Sequence, residues 1–120
     1  MTDGRYFFSL SALKAVVPSP GIERRVAVAE RAMLTFFTFQ PGSTVPEHSH
    51  PHDQLSVVVR GRVEFTAGGE SMILGPGEGA SLPGGTVHGV RILEEETEIW
   101  DAWAPFREDY IPAMPRDNDQ

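Results

Sequence analysis

The chain has 120 residues, 17 acidic against 10 basic side chains, and a formal net charge of −7. That is enough chain for one domain with a real core and too little for two, and its negative field argues against nucleic acid or an anionic membrane surface as a partner. Cysteine is absent, which excludes zinc fingers and iron–sulfur clusters and fits a cytoplasmic location, while no stretch has the apolar length of a membrane span or the pattern of a signal peptide.

In chain order, Ser9 to Val17 is expected to form a short helical turn stopped by Pro18-Ser19-Pro20-Gly21. Strands are expected at Arg25–Ala29 and Met33–Phe39, the second closed by the turn Pro41-Gly42. Leu55–Val59 is β-branched and apolar, Gly61 breaks it, and Val63–Thr66 runs on to the hairpin signal Gly68-Gly69. Ser71–Leu74 and Gly79–Leu82 flank Gly75-Pro76-Gly77, and Val87–Leu93 and Glu98–Ala104 complete the series around the acidic turn Glu94-Glu95-Glu96. Many short strands with regular glycine and proline turns read as an antiparallel sandwich or barrel. The polar segment Arg116–Gln120 reads as a disordered tail.

Every histidine falls in one of two motifs, His48-Ser49-His50-Pro51-His52-Asp53-Gln54 and Pro83-Gly84-Gly85-Thr86-Val87-His88. Alternate residues of a strand point to one face, so His48 and His50 can present two imidazoles to one ion, and His88 can join from a returning strand. Without thiolates the site must use imidazole and oxygen ligands, which suit several divalent transition ions. His52 has the same parity, but Pro51 disturbs the strand between them; it is expected to line the mouth, and Glu47 to face outward.

The spacing of Gly42, His48-x-His50, Gln54 and Gly61, followed by Gly77, Pro83-x-Gly85 and His88, resembles the two motifs of the cupin superfamily over residues 30 to 104. The resemblance implies an all-β fold, the double-stranded β-helix or jelly-roll barrel, whose mouth holds one metal on three histidines and a further side chain. Most metal-binding cupins have glutamate as the fourth ligand, and here Gln54 occupies that place. A neutral amide leaves a divalent ion with one more unit of positive charge, a better Lewis acid than electron donor.

In the last strand Thr97, Ile99, Asp101 and Trp103 share one face. If that face is the interior, Asp101 is an acid in an apolar pocket, fit for proton transfer, and Arg107 beyond it is suited to a substrate carboxylate. The run from Asp101 to Tyr110, together with the HSHPHDQ segment, is similar to a narrower group, the small pectin-degradation cupins that linearise unsaturated uronates. That resemblance implies metal ligands His48, His50, Gln54 and His88, functional tail residues Asp101, Trp103 and Arg107, and one divalent ion among Ni, Zn, Mn and Fe. Trp103 replaces the common phenylalanine, and Phe106 replaces a small residue or proline, which narrows the pocket.

The expected function is therefore metal-dependent ring opening of a 4,5-unsaturated uronate, a small anionic sugar-like substrate, to its linear keto form. An iron-dependent dioxygenase and a non-catalytic small-molecule-binding cupin are the other two readings. The expected organisation is an N-terminal strand and helical turn over residues 1–29, a barrel over 30–110 and a flexible tail over 111–120. A homodimer is expected, with Tyr6-Phe7-Phe8 available as an added strand.

Overall fold

The structure is a computed structural model and describes residues 6–111; the tail expected at Arg116–Gln120 lies outside the described residues. Among the described residues, ten strands form two antiparallel sheets. The larger contains β1 (Val16–Ser19), β2 (Ile22–Val28), β3 (Met33–Phe39), β5 (Asp53–Arg60), β8 (Gly79–Leu82) and β10 (Thr97–Ala104), ordered β1-β2-β3-β10-β5-β8. The smaller contains β4 (Thr44–His48), β6 (Val63–Ala67), β7 (Glu70–Leu74) and β9 (His88–Ile92), ordered β4-β9-β6-β7. This is the jelly-roll barrel expected from the cupin resemblance. No helix among the described residues is long and apolar enough to cross a membrane.

Period-two patterning builds the larger sheet. Along β10 the inward residues Thr97, Ile99, Asp101 and Trp103 are buried and the alternate residues are more exposed, as the sequence predicts. Antiparallel register then aligns inward residues into rows across the strands. One row is Val28, Met33, Trp103, Gln54 and Leu82; the next is Val26, Thr35, Asp101, Ser56 and Ala80; the third is Arg24, Phe37, Ile99 and Val58. The polar row of Thr35, Asp101 and Ser56 thus lies between two apolar regions. On one side are Met33, Trp103 and Ile111, and on the other are residues of the main core, including Val58, Val63, Phe65, Ile92 and Ile99. Each fully buried aliphatic side chain there contributes about 1.5–3 kcal/mol.

The N-terminal expectation is corrected in part. Only Leu10–Ala12 form a 3-10 turn, and Val16 and Val17 belong to β1, because Gly21 at φ +84° allows a tight reversal that pairs Ser19 with Ile22. The strand expected to begin at Arg25 begins at Ile22. Gly61 explains its place in the first motif. Its φ is +92°, and a Cβ there would overlap the Thr97 side chain and the Glu96 carbonyl.

Candidate metal centre

His48 ends β4 and His88 begins β9, and the two are direct register partners across that strand pair. His50 does not share a strand with His48, contrary to the sequence expectation. β4 stops at His48, and Pro51 cannot supply the N–H that a continued ladder would need. The connection carrying His50 is instead pinned from across the barrel. Gly85 N–H donates to the His50 carbonyl at 2.8 Å, and Gly84 N–H donates to Asp53 Oδ1 at 2.8 Å. Gly84 passes so close to Pro51 that a Cβ would overlap its carbonyl oxygen. Asp53 is therefore a loop fastener.

The three histidines present ring nitrogens that all lie within 4.8 Å of one another. Each ring is oriented by a backbone carbonyl. His48 Nδ1 lies 2.9 Å from Pro46 O, His88 Nδ1 lies 2.9 Å from Thr86 O, and His50 Nδ1 lies 3.2 Å from His52 O. A carbonyl only accepts, so each Nδ1 carries the proton and each Nε2 is left with a free lone pair. Such outer hydrogen bonds orient metal-binding imidazoles.

Gln54 makes the cation preference sharper. Its Nε2 donates to Ser56 Oγ at 2.9 Å, which turns its Oε1 toward His50 Nε2 at 3.1 Å. With the His50 proton on Nδ1, that contact brings two acceptors together without a hydrogen between them. Protonating His50 fully is disfavoured: burial holds its pKa below the ordinary imidazole value, reinforced by the Arg107 charge and by His88. Burial likewise lowers His88, opposed by its hydrogen bond to the Thr86 carbonyl. Neutral imidazoles facing an amide oxygen form a donor set that a divalent cation satisfies, so the residues present fit a metal. His52 stands outside this cluster; its ring packs on His50 and Trp103 at 5.5 and 6.3 Å between centroids.

Beside the histidines a cavity of about 260 Å³ enters the barrel, with His48, His88, Gln54, Asp101, Trp103 and Arg24 on its wall. Asp101 is only 5% exposed. Burial pushes its carboxyl pKa up to about 7, opposed by the neighbouring polar side chains of Ser56, Gln54 and Thr35, and its Oδ1 is buried without a hydrogen-bond partner. Trp103 is fixed by donation from its Nε1 to Thr35 Oγ1 at 3.0 Å, and its ring lies 5.2 Å from that of His50.

Arg107, expected from the sequence to meet a substrate carboxylate, lies beside Trp103 and Tyr110. Its Nε and Nη2 already fork onto Asp109 Oδ1 and Oδ2 at 3.0 and 2.7 Å. Its guanidinium stacks on Trp103 and Tyr110 at 5.0 and 4.4 Å, leaving Nη1 buried without an acceptor. Sequence reasoning missed Arg24, Thr35, Ser56 and Tyr110 as parts of this site. For Arg24 a signal exists: it has the parity of Ile22 and Val26, the inward face of β2.

A family model described as a cupin domain matches residues 35–100. The pectin degradation protein KdgF of Dickeya dadantii (strain 3937) is 31% identical over 93 residues, covering 76% of this chain and 84% of that protein. Among solved structures, KdgF from Halomonas sp. is similar with a TM-score of 0.83 and 32% identity, over 87% of this chain and 96% of that one. An RmlC-like cupin from Shewanella frigidimarina NCIMB 400 shares the fold, with a TM-score of 0.84 and 23% identity over 89% of this chain and 96% of that one.

Proposed function

The chain belongs to the cupin family, and on that footing we propose that it is a metal-dependent enzyme that opens 4,5-unsaturated uronates to their linear keto form. The observation that carries this reading is the juxtaposition of three Nε2 lone pairs and a Gln54 oxygen beside one small cavity whose wall includes a buried carboxyl. Its similarity to pectin degradation proteins supports the substrate class. A volume near 260 Å³ lies below the usual range of about 300–1,000 Å³ for small-molecule pockets, so it suits a monosaccharide.

His48, His50, Gln54 and His88 hold the ion, whose chemistry when bound is Lewis-acid polarisation of substrate oxygens. Asp101, as its carboxylate, takes the proton of the anomeric hydroxyl. The bond from C1 to the ring oxygen breaks, C1 becomes a carbonyl carbon, and the released oxygen carries the electrons as an enolate. Return of a proton to C4 makes C5 the ketone, so the reaction is an isomerisation with no change of redox state. Trp103 supplies a rigid wall for the sugar face. Arg107 contributes positive charge behind the cavity wall, and its stacking holds Trp103 and Tyr110 in place.

The test is an assay of the metallated protein with an unsaturated uronate, run with and without oxygen. The ultraviolet absorbance of the conjugated alkene should disappear without oxygen. Loss that requires and consumes oxygen would instead establish the dioxygenase reading, and tight binding without any loss would establish a binding protein.

A further inference from the structure

We propose that Arg24 is the residue that holds the carboxylate of an acidic sugar inside the cavity. The inference rests on the cavity being the substrate pocket of the proposed reaction. Arg24 is only 8% exposed and lines the cavity wall. Register places it beside Phe37 and, through Phe37, in the row of Ile99, one row from Asp101 and two from Gln54.

Its surroundings leave its charge uncompensated. Among the described residues no carboxylate pairs with Arg24 and no acceptor takes a hydrogen bond from its guanidinium; its Nε is fully buried without one. Its partner is the face of Tyr110 at 4.2 Å. A ring face offsets only part of the cost of burying a cation. The contrast with other arginines is instructive, because the chain has an excess of acids to offer. Arg25, Arg60, Arg91 and Arg107 each have a carboxylate partner; Arg31 and Arg62, which have none among the described residues, are exposed to water, whereas Arg24 has none and is buried.

The missing partner is thus an anion that enters the cavity. A guanidinium fork fits a carboxylate with two parallel hydrogen bonds. A ring lying between Arg24 and Gln54 then has its acid at one end and its hydroxyls toward Asp101 and the histidines. Arg107, whose fork is taken by Asp109 and which does not line the cavity, acts through Tyr110, the ring shared by both arginines. On this arrangement Arg24 selects acidic over neutral sugars.

The experiment titrates the metallated full chain with D-galacturonate and with D-galactose by calorimetry, in wild type, Arg24→Met and Arg24→Lys. Wild type should prefer the acid by at least about tenfold, the scale of a charged hydrogen bond. Arg24→Met should lose at least about tenfold for the acid and change galactose by less than about twofold, a charge selectivity that loss of packing alone would not produce. Should Arg24→Met not fold by circular dichroism, Arg24→Lys decides. It keeps the charge but not the fork, so it should weaken the acid alone by about threefold or more. Equal wild-type affinity for acid and neutral sugar, or acid affinity unchanged in the folded variants, overturns the proposal. Conversion of unsaturated uronate by Arg24→Met at wild-type KM overturns it and leaves the reaction standing. A wild type that prefers the acid tenfold, loses that preference in Arg24→Met and never converts the unsaturated uronate supports Arg24 and overturns the reaction.

Discussion

The lone pair of His50 Nε2 facing the oxygen of Gln54 at 3.1 Å is the contact on which the metal argument turns. Substituting His50 or His88 by alanine should remove most of the bound metal, read by elemental analysis of the purified variants; full occupancy in both would contradict the ligand set. Asp101 supplies a second prediction. A carboxyl whose folded pKa is raised, here to about 7, binds more protons folded than unfolded between the two values. Its contribution to stability is complete below about pH 4 and is lost as pH rises through about 7. In chelated protein the stability of wild type relative to Asp101→Asn should therefore fall over that window, by about 4 kcal/mol at the upper limit. Urea midpoints taken at several pH values check it, and a flat difference would show that Asp101 is ionised throughout. With metal bound, Asp101→Asn should lower the isomerisation rate at least about a hundredfold, the scale of lost proton-transfer help.

Among the elements, the connections matter more than the strands for placing ligands. The connection carrying His50 is held by a second loop, the one with Gly84 and Gly85. Gly84→Ala should push that loop from Pro51, costing about 1–3 kcal/mol of stability as overpacking does and weakening metal binding as well. Gly61→Ala collides with Thr97 at the end of β10 opposite the Trp103–Gln54 row. It should lower stability by a similar amount, about 1–3 kcal/mol, while leaving metal affinity intact. Denaturant unfolding combined with competitive metal titration separates the two variants, and equal metal affinities would detach His50 from its loop.

For the whole molecule, the outer face of the larger sheet is strongly apolar. Leu34, Leu55, Val57 and Val59 are exposed there, and Phe8 lies 6.3 Å from Phe36, which packs edge-on against Trp100. Exposed apolar patches are common sites of association, and this face is the one expected to pair. A homodimer is the expected state, observed by sedimentation as twice the 13.2 kDa chain mass. Val57→Glu should shift it toward monomer with metal content unchanged, whereas a wild type that sediments as a monomer would refute the expectation.

What the sequence determined by itself was local. Strand alternation marked Thr97, Ile99, Asp101 and Trp103 as one face, turn glycines and prolines marked most of the strand ends, and the histidine spacing marked the segments whose imidazoles converge, because each depends on neighbours a few residues away. The start of β2 was not legible, since Gly21 rather than the prolines sets the reversal, and Arg24 was lost with it. Only the tertiary structure decided that Pro46, Thr86 and His52 carbonyls orient the imidazoles, that Asp109 occupies the fork of Arg107, and that Arg24 meets Tyr110 without an acid. Those relations join residues far apart in the chain or depend on side-chain direction, and they are set by the register of one strand against another and by which polar groups burial leaves without a partner.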